Sequence, residues 1–246
     1  MRDDGEPILI AIATYNEAEN IQSLLQQICA VNLPATIIVI DDKSPDGTGE
    51  LVSAFATSNP QVSLHSREGK LGIGSAHKYA IREALRLNVE ILVTLDADFS
   101  HRPSDIPRLL NALDGAQVVV GSRFLTEGGL ENWNVLRRTL THAGHIATRL
   151  LLGIPFDCSG AFRAYRISAL KSRALSQELS DGYSWFYESL TALHLQGVVI
   201  REIPIVLPAR TYGSSKMSIR EVLRSTTGLL SFRRAAKHFL KEINHG

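Results

Sequence analysis

The chain is organised around one stretch, Leu92-Val93-Thr94-Leu95-Asp96-Ala97-Asp98-Phe99-Ser100. Its aliphatic first half is typical of a strand that is covered on both faces of a sheet. Asp96 and Asp98 follow two residues apart, so their carboxylates would point the same way if the strand geometry continued. Carboxylate oxygens at a strand end suit Mg²⁺ or Mn²⁺. The alternative is that they only end the strand and cap a helix beginning near Pro103 and Asp105.

Strand and helix patterns alternate through the first part of the chain. Apolar runs predict strands at 8–14, 35–40, 62–65 and 91–95, with helical spacing or helix-start signals after the first three. Such alternation implies a parallel sheet with right-handed crossovers, in which ligands bind beyond the carboxyl ends of the strands. We therefore predict an α/β domain with a mostly parallel central sheet over residues 1–217.

Acidic residues follow three of these strands: Glu17, the pair Asp41-Asp42, and Asp96 with Asp98. Any one of them could simply cap a helix. Together they would crowd negative charge at one edge of the sheet, which costs energy unless a cation or a donor-rich ligand lies there. The convergence favours a ligand site.

Two local patterns carry further expectations. Asn16 with Glu19 three residues later resembles a capping box, so Asn16 is the predicted N-cap of the first helix. The glycine-rich loop with Gly69, Gly72 and Gly74 has neither the Walker nor the dinucleotide spacing. It is either a flexible loop ahead of a helix or backbone that passes close to a bound nucleotide.

Composition excludes several classes of protein. The 246 residues hold 26 Lys and Arg against 25 Asp and Glu, a net charge of +1 that argues against nucleic-acid binding. Two cysteines, Cys29 and Cys158, form no disulfide framework, which favours a reducing compartment. No apolar run reaches the ~18 residues that a membrane span needs. We expect a cytoplasmic protein without a transmembrane helix, either soluble or peripheral at the cytoplasmic face of a membrane.

Two segments suit a lipid surface. Residues 210–246 hold eight Lys and Arg against two acidic residues, with apolar residues between them. This pattern predicts a basic amphipathic helical extension over 218–246 on an anionic membrane, the alternative being a helix folded back on the domain. Residues 134–153 combine basic and apolar residues with no acid. They suit an anionic lipid surface or a phosphate-bearing acceptor, unless the helix packs on the domain's flank.

Seven motifs carry a family resemblance, and they are Thr14-Tyr15-Asn16-Glu17, Asp41-Asp42-Lys43-Ser44-Pro45-Asp46-Gly47-Thr48, Lys70-Leu71-Gly72-Ile73-Gly74, Asp96-Ala97-Asp98-Phe99-Ser100-His101, Gly121-Ser122-Arg123, Ser159-Gly160-Ala161-Phe162-Arg163 and Arg210-Thr211-Tyr212-Gly213-Ser214-Ser215-Lys216. The chain resembles, from about Ile8 to Leu223, the dolichyl-phosphate and polyprenyl-phosphate mannosyltransferases, inverting enzymes of the GT-A (Rossmann-like) fold in glycosyltransferase family 2. The Ser-Pro-Asp-Gly-Thr run and the final Arg-x-Tyr-Gly-x-Ser-Lys run are the marks more specific to the polyprenyl-phosphate branch.

The resemblance implies a donor, GDP-mannose, an acceptor, a polyprenyl monophosphate, and roles for single residues. The implied substrate-binding residues are Tyr15, Glu17, Val39, Asp41, Asp96, Ala97, Asp98, Arg123, Arg210 and Lys216, the first four at the base and ribose. The implied metal ligands for Mg²⁺ or Mn²⁺ are Asp96 and Asp98, with Ser100 near the metal. The implied catalytic residues are Asp98, Arg123, Arg210 and Lys216.

The sequence departs from the family at three points. Ala13 stands where Pro is common, and Lys43 stands where Gly is usual after the aspartate pair. The C-terminal membrane spans of the family are missing, so work on a lipid would need the interfacial helix or a membrane-anchoring partner subunit.

A phosphate monoester is largely dianionic at neutral pH, so Arg210 and Lys216 would position it and no general base would be needed. We therefore expect inverting, direct displacement. The first alternative is a family 2 enzyme that uses another nucleotide sugar, such as UDP-glucose, or a hydroxyl acceptor with Glu188 as base. The second is a non-catalytic subunit that binds a nucleotide sugar or a lipid. The third, nucleotidyl transfer, would require a different N-terminal phosphate loop.

Overall fold

The computed structural model describes residues 6–126, 128–131, 135–170 and 179–208. The strands in these residues are β1 (Ile8–Thr14), β2 (Ala35–Asp41), β3 (Val62–Ser66), β4 (Ile91–Asp96), β5 (Val118–Ser122), β6 (Leu130–Glu131), β7 (Arg163–Arg166), β8 (Ile200–Pro204) and β9 (Leu207–Pro208). The helices are α1 (Ile21–Ala30), α2 (Thr48–Ser58), α3 (Ile73–Arg86), α4 (Ile106–Ala112), α5 (Val135–Leu152), α6 (Ile167–Leu170) and α7 (Ser184–Leu195), with a 3₁₀ turn at Pro103–Asp105. Arg210, Lys216 and the predicted extension over 218–246 lie outside the described residues.

The main sheet has the strand order β3-β2-β1-β4-β7-β5-β8. β7 runs antiparallel to both of its neighbours, β4 and β5, and the remaining pairs are parallel. β6 and β9 form a separate parallel pair. The mostly parallel α/β sheet predicted from the sequence is therefore confirmed.

The register of the central strands determines where the site lies. Thr14 at the end of β1 pairs with Asp41 of β2, and Ala13 pairs with Asp96 of β4. Because the three strands are parallel and end at the same level, the loops that follow them share one edge of the sheet. The acidic residues after β1, β2 and β4 are thus brought together, as the alternating pattern predicted.

The core has two layers, one on each face of the sheet. Along β1, Leu9 and Ala11 pack with α3, α6 and α7, whereas Ile8, Ile10 and Ile12 pack with α1, α2 and α4. Successive side chains of a strand point to opposite faces, so a strand between two helical layers must be apolar throughout. None of the helices within the described residues has both the length and the apolar character required to cross a membrane.

The predicted N-cap at Asn16 is wrong, because α1 begins only after an intervening turn. The backbone N–H groups of residues 16–18 donate instead to Ser44 Oγ, Thr48 Oγ1 and Asp46 Oδ2, at 2.9, 3.0 and 3.0 Å. These acceptors belong to the Ser-Pro-Asp-Gly-Thr run after β2. The run therefore ties the loop after β1 to the loop after β2.

Three residues with side chains adopt left-handed backbone conformations where central strands end. They are Asn16 after β1, Lys43 after β2 and Phe99 after β4, with φ of 57°, 57° and 59°. A Cβ atom makes this conformation unfavourable, and glycine adopts it freely. The left-handed backbone explains why glycine is the usual residue in the family at the position of Lys43.

We expect Lys43→Gly to stabilise the protein. The left-handed conformation costs roughly 1–2 kcal/mol with a Cβ, and the greater freedom of glycine in the unfolded chain offsets about half of that. A net gain of about 0.5–1 kcal/mol should raise Tm by about 1–4 °C in thermal unfolding. Lys43→Ala is the matched control, because it removes the exposed lysine side chain and keeps the Cβ. Equal stabilisation by Ala and Gly would contradict this explanation.

Candidate active site

A cleft opens at the carboxyl edge of β1 and β4 and collects five of the predicted site residues. These are Tyr15, Glu17, Asp96, Ala97 and Asp98. Its remaining wall comes from the loop after β2, the glycine-rich loop before α3 and the segment before α7, with Asp42, Lys70, Gly72, Gly182 and Tyr183 among the lining residues. The cleft lies where an open parallel sheet is expected to bind its ligand.

The turn after β4 presents its two carboxylates differently. The Asp96 side chain is 33% exposed, whereas Asp98 is buried. Asp98 Oδ1 accepts the Ser100 N–H at 3.1 Å and also the Ser100 hydroxyl. The left-handed Phe99 makes this tight turn, so Ser100 supports Asp98 directly.

His101 fixes the other end of the same turn. Its Nδ1 accepts the Asp96 backbone N–H at 3.2 Å, and its ring stacks on Phe162 at 5.1 Å between centroids. Burial lowers the pKa of His101 to about 4, so the imidazole is neutral at pH 7 and Nδ1 is an acceptor. The 4.0 Å approach of His101 to the Asp96 carboxylate is consequently no ion pair at that pH.

The carboxylate oxygens in the cleft are suitable ligands for a hard divalent cation. Asp96 and Asp98 contribute carboxylate oxygens, the ligands that Mg²⁺ and Mn²⁺ prefer. Within the described ranges, no three His, Cys, Asp or Glu side chains come together as a protein-only metal site. The two carboxylates therefore suit a cation that takes its remaining ligands from water or from the phosphates of a substrate.

Tyr15 and Lys70 face each other across the cleft, with the Lys70 ammonium 4.8 Å from the centre of the Tyr15 ring. Val39 and Asp41, the other residues predicted at the base and ribose, do not line the cleft. Val39 is fully buried in the sheet, and Asp41 is buried with its carboxylate accepting the Ser44 N–H at 2.9 Å and the Ser44 hydroxyl at 2.5 Å.

A buried ion pair holds the glycine-rich loop beside the cleft. Arg67 Nε donates to Asp42 Oδ1 at 2.6 Å, and Arg67 Nη1 donates to Ser75 Oγ at 2.7 Å. Asp42 Oδ2 also accepts the Leu71 N–H at 3.0 Å. Both side chains of the pair are less than a tenth exposed, so removal of one would leave a buried charge uncompensated.

Two glycines of this loop allow the segment before α7 to approach the start of α3 closely. A Cβ at Gly72, whose φ is 97°, would lie 2.4 Å from the Asp181 carbonyl oxygen, and one at Gly74 would lie 2.6 Å from Trp185 Cβ. The segment before α7 can therefore pack onto the start of α3 only if both positions lack side chains. This contact is one that neither interpretation of the loop from sequence had anticipated.

Arg123 follows β5 and is held by the loop before β7. Its guanidinium donates to Ser159 Oγ, and its Nε lies 3.5 Å from Asp157 Oδ2. Asp157 is buried and also accepts the Ser159 N–H at 3.1 Å and the Ser159 hydroxyl at 2.8 Å. Arg123 is not among the residues that line the cleft described above.

Glu188 is buried in α7 and does not line the cleft. Its two carboxylate oxygens accept the Ser180 N–H and the Ser180 hydroxyl, both at 2.7 Å. The carboxylate that a hydroxyl acceptor would require as base is thus engaged in holding the segment before α7.

Sequence reasoning gave no site role to Lys70, Gly182 and Tyr183, and it named Asp42 only among the acids that converge at the edge of the sheet. Lys70 had a usable signal, because it is a cation inside a glycine-rich loop that follows a strand. Gly182 and Tyr183 had none, since they reach the cleft through packing against a loop about a hundred residues earlier in the chain.

Comparison with known proteins agrees with this geometry. The family model "Glycosyl transferase family 2" matches residues 9–173. An undecaprenyl-phosphate mannosyltransferase of Micrococcus luteus is 35% identical over 212 residues, which cover 86% of this chain and 87% of the relative. A polyprenol monophosphomannose synthase of Mycolicibacterium smegmatis is 36% identical over 221 residues, which cover 87% and 83%.

Solved structures show the same fold. Glucosyl-3-phosphoglycerate synthase from Mycobacterium tuberculosis, in complex with Mn²⁺ and UDP-glucose, aligns with a TM-score of 0.68 at 19% identity, over 94% of this chain and 79% of that one. The predicted GT-A fold and the resemblance to polyprenyl-phosphate mannosyltransferases are therefore confirmed. The chain belongs to glycosyltransferase family 2 and is a glycosyltransferase.

Proposed function

We propose that this enzyme transfers mannose from GDP-mannose to a polyprenyl monophosphate, with inversion and with dependence on Mg²⁺ or Mn²⁺. The observation that carries the proposal is the cleft in which Asp96 and Asp98 meet Tyr15 and Lys70, on a chain about a third identical to two polyprenyl-phosphate mannosyltransferases. Mannose and the polyprenyl phosphate come from the names of those relatives, and GDP comes from the family resemblance.

The residues of the β4 turn are suited to the diphosphate end of a nucleotide sugar. Asp96 and Asp98 would hold the cation, with Ser100 fixing the Asp98 carboxylate by two hydrogen bonds. A bound divalent ion supplies charge stabilisation for the departing nucleoside diphosphate. Arg123 adds a fixed positive charge at the end of β5, and such preorganised charges lower the barrier because they need no reorientation during the reaction.

Tyr15 and Lys70 are suited to the nucleoside end. The tyrosine ring offers a flat face in the cleft, and the ammonium above it offers a charge for phosphate or for base oxygens. Glu17 lies in the same loop, with Oε2 accepting the Asn20 amide at 2.7 Å. This loop is itself tied to the Ser-Pro-Asp-Gly-Thr run, so the wall is preformed.

A phosphate acceptor agrees with the state of Glu188. With both carboxylate oxygens accepting hydrogen bonds from Ser180, Glu188 is poorly placed to remove a proton from a hydroxyl. A phosphate monoester, with a second pKa near 6, is already largely dianionic at neutral pH and needs cations to position it. We assign that role to Arg210 and Lys216.

Helix α5 supports a peripheral position on an anionic membrane surface. It contains no acidic residue, and it exposes apolar side chains on the protein surface: Val135 at 81%, Leu140 at 64%, Ile146 at 55% and Leu150 at 77%. Arg138 and Arg149 are exposed on the same helix. Apolar and cationic groups together favour the boundary between acyl chains and anionic headgroups. We propose that this helix, with the extension over 218–246 or an anchoring partner subunit, brings the enzyme to its lipid.

The proposed reaction is tested by incubation with labelled GDP-mannose, UDP-glucose and other nucleotide sugars, with a polyprenyl phosphate and with Mg²⁺ or Mn²⁺. We expect a mannosyl lipid from GDP-mannose, and we expect Asp98→Asn to lower the rate by about 100-fold or more. The change is nearly isosteric, so Tm should stay within a few degrees. Asp114→Asn, on an exposed residue away from the cleft, is the control. Asp98→Asn activity within a few-fold of wild type at saturating metal would refute the metal role.

The acceptor class is tested by two substitutions. Lys216→Ala should reduce kcat/KM for the lipid phosphate by roughly ten- to a hundred-fold, because a charge-assisted contact is worth about 1.5–3 kcal/mol. Glu188→Gln should change the rate by less than about three-fold, since the amide oxygen can still accept a bond from Ser180. Lys43→Ala controls for loss of an exposed lysine. A large loss with Glu188→Gln and a small one with Lys216→Ala would identify a hydroxyl acceptor.

Membrane binding is tested by sedimentation with vesicles of phosphatidylglycerol and phosphatidylcholine. Changing Leu140 and Leu150 together to Gln should weaken binding roughly ten-fold or more, because each leucine loses over about 1 kcal/mol of apolar burial in the interface. The same double change at Leu85 and Leu87, exposed leucines at the end of α3, is the matched control. Equal binding by all three proteins would refute docking through α5, and loss on truncation after Met217 would assign it to the C-terminal segment.

A further inference from the structure

Arg163, the first residue of β7, is a fully buried cation. A guanidinium has five N–H donors, and each of them has an acceptor here. The bonds run from Nε to Gly160 O (2.9 Å), from Nη1 to Ser189 Oγ (3.1 Å) and Tyr165 Oη (3.5 Å), and from Nη2 to Cys158 O (3.0 Å) and Phe186 O (2.8 Å). The side chain therefore binds the backbone at Cys158, Gly160 and Phe186.

Four of these acceptors lie on two other parts of the chain, and the fifth, Tyr165, lies on β7 itself. Cys158 and Gly160 belong to the loop before β7, and Phe186 and Ser189 belong to α7. Among the described residues no carboxylate forms an ion pair with Arg163, so its charge is compensated there by carbonyl and hydroxyl oxygens. A buried cation is tolerated only with such bonds in place, which makes the guanidinium a clamp between the loop and the helix.

The clamped loop is the one that holds Arg123. Ser159 lies between the two clamped carbonyl groups, and its Oγ accepts a bond from the Arg123 guanidinium. The same hydroxyl donates to Asp157 Oδ1 at 2.8 Å, and Asp157 Oδ2 lies 3.5 Å from Arg123 Nε. The backbone that Arg163 fixes thus carries Ser159 and is adjacent to Asp157, the two polar neighbours of the Arg123 head group.

We propose that Arg163 is a positioning residue that sets the guanidinium of Arg123 for binding the phosphates of the donor. The inference rests on the proposed function of Arg123. Lysine cannot replace Arg163 without loss, because a single ammonium has three donors and no planar fork to span a loop and a helix at once. A shift of the loop would move Arg123 away from the phosphates while leaving the rest of the fold assembled.

A double-mutant cycle between Arg163→Lys and Arg123→Ala separates positioning from plain stabilisation. Activity is measured with the working nucleotide sugar, at a temperature below the lowest Tm of the set. We expect Arg163→Lys to lower kcat/KM about ten-fold alone and less than about two-fold when Arg123 is already alanine, because coupled residues are not additive. The same factor in both backgrounds would show that Arg163 only stabilises the fold. Full activity of Arg123→Ala would also overturn the inference.

Arg166→Lys is the matched control, because Arg166 lies on the same strand and pairs with Glu6 at 3.0 Å. We expect it to change activity by less than about two-fold in either background. If Arg163→Lys does not fold, Ser189→Ala takes its place, since it removes one acceptor of Arg163 within α7.

The cycle is repeated on the binding of GDP with Mn²⁺, measured by titration calorimetry. A wild-type protein that transfers no sugar from any donor would refute the proposed function, and the cycle would then be judged on this binding. If the double variant loses affinity for GDP by the product of the two single losses, the positioning role is overturned for binding as well. If the double variant loses no more affinity than Arg123→Ala alone, the positioning role is supported.

Discussion

The structure depends on how the negative charge at the carboxyl edge of β1, β2 and β4 is compensated. Much of that charge is compensated by the protein itself. Asp41 accepts two bonds from Ser44, and Asp42 is paired with Arg67 inside the fold. Asp96 and Asp98, after β4, line the cleft. The edge therefore combines carboxylates that brace the loops with carboxylates that line the cleft, and Asp42, which is as buried as Asp98, does both.

The bracing explains how strained backbone persists beside the cleft. Asn16, Lys43 and Phe99 all adopt left-handed conformations, which persist only when the surroundings fix them. The loop after β1 is fixed by side chains of the Ser-Pro-Asp-Gly-Thr run, and the turn after β4 is fixed from within by Ser100 and His101. A site built in this way presents its carboxylates and its aromatic ring in set positions before a ligand arrives, which is the condition for electrostatic preorganisation.

The sequence was informative where a structure follows from local chemistry. The central strands were predictable because strands covered on both faces must be apolar throughout, and the carboxylates after β4 were predictable because parallel strands end at a shared edge. It was misleading at Asn16, where the hydrogen bonds come from a loop about thirty residues away. No local pattern predicts that Tyr183 lines the cleft, because its position depends on packing against the distant glycine-rich loop. Charge type could be read from the sequence, but burial could not: Asp41, which the family resemblance places at the base and ribose, is buried and does not line the cleft.

Helix α7 accounts for the way the two sides of the site are held together. From this helix, Glu188 fixes Ser180 and so the segment that packs on the glycine-rich loop at one wall of the cleft. On the same helix, the Phe186 carbonyl and the Ser189 hydroxyl fix Arg163. Arg163 also bonds to the loop before β7, which holds Arg123. One buried helix therefore positions both the cleft wall and Arg123. In the proposed reaction the acceptor phosphate arrives already ionised and needs no base from this helix. The Glu188 carboxylate can therefore be used for structure, as its two bonds to Ser180 show.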